Sequence, residues 1–413
     1  MKKHPLIQSI FDLRGNSRAC VYTEPLWAIP NNLFTPFASV YMAALLLSDR
    51  QIGIVASTSL LFRALAAMFS GAITDKLGRR ATALIFDLCA WSVPCLLWAF
   101  SQNFWWFMIA ASLNGLWQVT DNAWTCLLVE DAEKSAIVKI YSLIHLGGQL
   151  SVFFAPLSGI LVNRLSIVPA VRILYLFSFL SMTAKFIILF AYSKETQVGI
   201  IRKRETSGAS IFKIMSGYGH IFRRVFASSE MVLALALFAI FNISAMIINN
   251  FFGLYTTGSL MLQEHFLAYF PVLRSLVIVI FLFIIPSKLT RFSSRHLMLA
   301  GILFYIIGHV VLLLSPKGAL APLLLYVFFE ACAHSLVMPR RDSIVAILIE
   351  PSERARISGL ITVITLGFAI PFGYLAGWLS DMDRRLPFIL NTVIFALALT
   401  VVAANKKLLE HRE

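Results

Sequence analysis

Charge is scarce in this 413-residue chain, with 14% Asp, Glu, Lys and Arg against 59% apolar residues. With a mean hydropathy of +0.79, that balance excludes a chain folded in water and makes the bilayer its solvent. Cysteine is sparse as well. Cys20, Cys89, Cys95, Cys126 and Cys332 show no metal-type spacing, and four of them fall in apolar runs, so they read as reduced packing residues. At the start, MKKHPLIQSIFDLRGNSRAC lacks a short apolar core with a small-residue cleavage site, so the amino end is expected to stay cytoplasmic. Walker loop, metal cluster and nucleophile triad are all missing from the sequence, which argues against ATP drive, hydrolysis and a cofactor. The formal charge of +14 would suit nucleic acid, but the basic residues sit in short loops between apolar runs. Anionic lipid headgroups of the inner leaflet are the expected partner, not nucleic acid.

What is abundant is apolar length. A spanning helix needs about 20 mainly apolar residues, and such runs recur at about 26–47, 51–73, 81–100, 104–129, 140–162 and 171–192, then 231–256, 266–286, 297–314, 320–349, 356–380 and 386–404. The expected fold class is an all-α polytopic membrane protein with twelve transmembrane helices in two six-helix bundles. Its divisions are a cytoplasmic or interfacial leader (1–24), an N-terminal bundle (25–193), a basic cytoplasmic linker (194–229), a C-terminal bundle (230–405) and a tail (406–413). With the amino end inside, the inner loops and tails carry 24 Lys and Arg and the outer loops 6, so both termini are expected in the cytoplasm of a cell whose cytoplasmic membrane holds the protein. The halves also echo one another. NNLF at 31–34 answers NNFF at 249–252, Arg63 answers Arg274, and Glu130 answers Glu350 at an offset of 220.

GAITDKLGRR, residues 71–80, is a polar decapeptide between the second and third runs. Gly78 permits the tight turn of a short loop, and Lys76, Arg79 and Arg80 suit the inner leaflet. The pattern Gly71, Asp75, Lys76, Gly78, Arg79 and Arg80 resembles the loop signature of the major facilitator superfamily, and with the 6 + 6 plan the resemblance covers essentially the whole chain. It implies alternating access and a conformational latch in which Asp75 meets the start of the eleventh span near Arg354 and Arg356. The second-half copy, PSKLTRFSSR, has Ser287 in place of the acid and Thr290 in place of the second glycine, so no equal second latch is expected. HLGGQLSVFFAPLSGI is partly similar to an antiporter motif, with helix packing the preferred reading. The resemblance further implies a central cavity lined by spans 1, 4, 7 and 10, which makes Asn31, Asn32, Trp117, Gln118, Asn249 and Asn250 candidate substrate contacts.

An ionisable side chain in mid-membrane costs on the order of 2.5–3.5 kcal/mol, so each one wants a partner or a watery cavity. Glu330 and His334, one turn apart near the middle of span 10, form a candidate proton-coupling pair. Arg63 and Arg274 are either a two-cation grip on a carboxylate or phosphate, or each neutralises an acid such as Asp121 or Glu330. Asp121 and Arg341, related by the 220 offset, form a candidate inner gate. Lys185 is expected to reach the headgroups with its long stem, and Asp87 to be neutralised by Arg79 or Arg80. The expected function is a monomeric secondary transporter that moves a small organic solute, coupled to protons. A multidrug or metabolite efflux antiporter of the same superfamily is the alternative, and a non-transporting receptor or scaffold the third.

Overall fold

The computed structural model describes residues 12–208, 226, 229–284, 292–348 and 354–405. Among them there is no β-strand, and the helices follow the expected order. The spans are α1 (Pro25–Phe34, Thr35–Phe37, Ala38–Ala44), α2 (Asp49–Leu77), α3 (Arg79–Phe100), α4 (Phe104–Asn114, Trp117–Val129), α5 (Lys134–Ser151, Val152–Phe154, Ala155–Leu165) and α6 (Ile167–Tyr192). They continue with α7 (Ser229–Leu254 and a π-turn Tyr255–Ser259), α8 (Phe270–Ile284), α9 (Ser294–Leu313), α10 (Leu320–Leu348), α11 (Arg354–Met382) and α12 (Leu386–Ala404). Among the described residues ten continuous runs are long and apolar enough to cross a membrane. The two that fall short are the broken helices. In α1, Pro36 has no N–H to give the helix and sits in a 3-10 turn at Thr35–Phe37; in α4 the chain turns at Gly115.

Contacts group the chain into two compact units: 1–35, 58–155 and 169–218 in the first, and 36–57, 156–168 and 219–413 in the second. The grouping does not follow the linker. Residues 36–57 and 156–168 pack with the C-terminal helices because glycine lets backbones meet there. A Cβ on Gly53 would lie 2.3 Å from the Gly373 carbonyl and 2.8 Å from Gly377 Cα, and one on Gly159 would lie 2.7 Å from the His265 carbonyl. Since lipid is as apolar as leucine, helices in a bilayer are held by such close packing and by polar pairs rather than by exclusion of water. Gly147 and Gly148 face open space, so the packing reading of the α5 motif suits Gly159 and not this pair.

The leader is more ordered than its polar sequence suggests. Gly15–Thr23 is a helix, docked within the first unit by Asn16, which donates to the Lys194 carbonyl at 2.9 Å and accepts from the Lys194 N–H at 2.8 Å. Ser17 donates to the Leu128 carbonyl at 2.7 Å, and Cys20 is fully buried beside Leu127, Ile140 and Leu189. The second unit has its own aromatic core, in which Tyr305 and Phe395 stack at 4.5 Å with Phe241 alongside.

Candidate functional site

The first unit builds a polar site around the break in α4. Gly115 touches α2 so closely that a Cβ would meet Phe62 Cβ at 2.6 Å and the Arg63 backbone nitrogen at 2.8 Å. Asn114 fixes the other side of the break by donating to the Ala90 carbonyl at 2.9 Å. This contact brings Arg63 of α2 against the first turn after the break. Its guanidinium carbon lies 4.3 Å from the Trp117 ring centre, and its Nε donates to Gln118 Oε1 at 3.0 Å. Among the described residues no carboxylate forms an ion pair with Arg63; Asp121 is one step away, accepting from Gln118 Nε2 at 3.3 Å. Three of the expected substrate contacts, Arg63, Trp117 and Gln118, therefore converge.

The equivalent place in the second unit is chemically different. Arg274 of α8 donates through Nε and an NH2 nitrogen to both oxygens of Glu330 on α10, at 2.6 and 3.1 Å, a bidentate, charge-assisted pair. Glu330 is buried, with the phenols of Tyr305 and Tyr326 and the imidazoles of His309 and His334 as its other titratable neighbours. His309 is itself tied to the Tyr305 carbonyl at 2.8 Å and to Asn391 at 2.9 Å, and Asn391 donates to Ser244 at 3.1 Å. Of the two readings open for the arginines, Arg274 takes the neutralising one. The two-cation grip is thereby corrected: one cation is spent on Glu330, and Glu330 is tied to Arg274 rather than acting with His334 alone.

These pairs also re-register the repeat. Arg63 and Gln118 are 55 residues apart and Arg274 and Glu330 56, so Glu330 corresponds to Gln118. The offset of 220 that paired Asp121 with Arg341 does not hold at this level. Asp121 is engaged with Gln118, while Arg341 forks onto Asp342 at 2.7 and 2.9 Å and lies 4.2 Å from the Phe238 ring centre. Each member of the expected gate has a partner in its own unit.

The basic loop is a clasp inside the first unit. Gly78 adopts φ +89, and a Cβ there would run into the Glu195 carboxylate at 2.4 Å, so glycine is required on both counts. Glu195 accepts from the backbone N–H of Arg79 at 3.0 Å and of Arg80 at 3.3 Å, capping the start of α3. Arg79 pairs with Asp75 at 2.9 Å and with Glu130 at 3.1 Å, and Arg80 donates to the Phe190 carbonyl at 2.9 and 2.7 Å. Thr196, which opens a linker helix at Gln197–Thr206, bonds Glu130, and Thr206 donates to the Asp75 carbonyl at 3.2 Å. Asp75 thus holds Arg79 and the linker. The side chains of Arg354 and Arg356, Glu350, and residues 286–291 of the second copy lie outside the described residues. Helix α2 meets α11 at its other end, where Arg384 donates to both oxygens of buried Asp49 at 2.7 and 2.9 Å and Ser380 adds a bond at 2.6 Å.

Asn32 and Asn250 fold back onto their own helices, donating to Ala28 and Met246 carbonyls at 2.8 Å; Asn31 is half-buried and Asn249 exposed. Two expectations fail. Lys185 does not reach outward but is 5% exposed and pairs with Glu24 at 2.8 Å, because an acid precedes the proline that opens α1. Asp87 is buried beside Lys185, while Arg79 and Arg80 are taken by Glu130, Asp75 and Phe190. The Asp49, Glu195 and Glu24 pairs were missed because each joins residues over 100 positions apart, or sits at a helix end read as loop.

Residues 32–390 match the profile described as the MFS_1 like family. The chain belongs to that family. It is an integral membrane protein and an MFS-type transporter, not an enzyme. Over 127 residues it is 28% identical to the "Uncharacterized MFS-type transporter YqjV" of Bacillus subtilis (strain 168), a match covering 30% of this chain and 31% of that relative. Solved structures share the fold. The nucleoside transporter NupG superposes with a TM-score of 0.73 at 14% identity, covering 95% of this chain and all of that one. A peptide transporter POT in complex with sulfate gives 0.70 at 13% identity over 99% and 100%. The human organic anion transporter MFSD10 gives 0.62 at 14% over 97% and 100%. The expectations of fold and family, and of an integral membrane protein, agree with these matches.

Proposed function

We propose that this MFS-type protein is a secondary transporter that moves a small organic solute bearing an anionic group by alternating access, with proton coupling at Glu330. The observation that carries the reading is Arg63, a guanidinium laid on Trp117 and aimed by Gln118 but given no carboxylate of its own among the described residues. Arg63 supplies a fixed, forked set of donors for a carboxylate or phosphate, and the indole supplies a flat apolar wall for the rest of the molecule. In the second unit Glu330 is the acid whose charge is held by Arg274. Protonating it releases Arg274, so binding of a proton and release of a guanidinium are the same event.

Nucleosides, peptides and organic anions, the solutes named for proteins of this fold, set a first panel. The test is flux of radiolabelled nucleosides, dipeptides and small carboxylates into proteoliposomes with an imposed proton gradient of either direction. Gradient-driven accumulation of an anionic solute is expected. Flux that ignores the gradient refutes the coupling, and preference for uncharged solutes refutes the role of Arg63.

A further inference from the structure

Glu24, Lys185 and Asp87 form a buried ionisable cluster that the transport reading does not use. Glu24 stands at the foot of α1, Lys185 on α6 and Asp87 on α3. Lys185 Nζ is 2.8 Å from Glu24 Oε2, and it is walled by Trp27 and Trp124 with ring centres at 5.6 Å and by Phe186 at 5.9 Å. Asp87 is 3% exposed. The titratable groups that face it are Lys185, Glu24 and Asp121, with the fully buried Cys20 thiol on the same cluster. Among the described residues none forms an ion pair with Asp87. Two acids thus share one cation in an apolar, aromatic enclosure, and the full set of charges would leave one negative charge unbalanced. A buried unpaired carboxylate costs several kcal/mol, which a bound proton removes.

We propose that Asp87 is a proton-binding site: it holds a proton at neutral pH while Glu24 and Lys185 remain a charged pair. Geometry decides which acid takes the proton. Glu24 already has the lysine in contact, whereas Asp87 lies beside Thr120, whose hydroxyl is 3.5 Å from the Ala83 carbonyl. A protonated Asp87 donates to Thr120 Oγ1 while Thr120 donates to that carbonyl, so every member of the chain is satisfied. The neutral cluster is complete without any solute.

Infrared spectroscopy of the purified full-length protein, with no solute present, tests this apart from any transport activity. Wild type at neutral pH is expected to show the carbonyl stretch of a protonated buried carboxylic acid, which isotopic labelling of aspartate side chains shifts and labelling of glutamate does not, and which is lost in Asp87→Asn. Absence of the band in wild type, its persistence in Asp87→Asn, or its response to glutamate rather than aspartate labelling overturns the assignment. Thr120→Val serves where Asp87→Asn does not fold: removal of the hydroxyl is expected to shift the band to higher frequency, and an unshifted band counts against the site.

Discussion

Arg63 and Arg274 stand at matching places in the two halves, on the second helix of each, facing the fourth helix of each at separations of 55 and 56 residues. One meets an amide and an indole; the other meets a carboxylate. The same scaffold position has therefore been given opposite electrostatic tasks by a single change of partner, Gln118 against Glu330. In the first unit the cation is oriented by Gln118 and forms no ion pair among the described residues, with Asp121 reached only through Gln118; on the proposed function its donors are left for a ligand. In the second the charge is consumed, and what can change is the protonation of the acid.

The sharpest way to break this comparison is to remove each arginine. Arg274→Met leaves Glu330, 9% exposed, without its cation, and is expected to destabilise the second unit by about 3–5 kcal/mol, read as a lowered Tm of solubilised protein. The double variant Arg274→Met/Glu330→Met should recover most of it, and no recovery would mean that the pair is not an isolated unit. Gly115→Val pushes α4 off Phe62, with an expected loss of about 1–3 kcal/mol from overpacking and a fall in Arg63-dependent uptake. Arg63→Met removes one cation–π contact and one hydrogen bond, about 1–2 kcal/mol, so its Tm should fall less than that of Arg274→Met while uptake is lost. Equal Tm losses for the two arginine variants would erase the distinction between the halves. The smallest effects are expected from Asn32→Ala and Asn250→Ala, each removing a bond to its own helix, under about 1 kcal/mol and alike in size.

Much of the architecture was legible because the bilayer imposes a length rule: the apolar runs, the GAITDKLGRR loop and the halves' echo all survive as helices, a clasp and matched arginines. Within the site, Arg63, Trp117 and Gln118 are each legible as candidates, since polar residues in spans are few, but the sequence pairs Arg63 with Arg274 and does not show that it meets Trp117 and Gln118. The errors share a cause. Lys185 was sent outward because its distance from the helix end permits it, but an inward partner, Glu24, was hidden at a helix start. Asp121 and Arg341 were matched by a constant offset, whereas the Arg63 and Arg274 pairs fix 211–212 at this level. The expected Asp75 latch falls on Arg354 and Arg356, whose side chains lie outside the described residues; the contacts within the second unit, Asp49 with Arg384 and the glycines at 53, 373 and 377, join the other ends of α2 and α11. Periodicity gives a helix face; it does not give the partner across it.

The most direct test of the division of labour is transport by Glu330→Gln and Arg63→Gln proteoliposomes, using whichever nucleoside, dipeptide or carboxylate the wild type accumulates. Glu330→Gln is predicted to keep solute exchange with no gradient imposed but to lose proton-driven accumulation, while Arg63→Gln loses both. Proton-driven accumulation by Glu330→Gln at the wild-type level, or unchanged exchange by Arg63→Gln, would contradict the account.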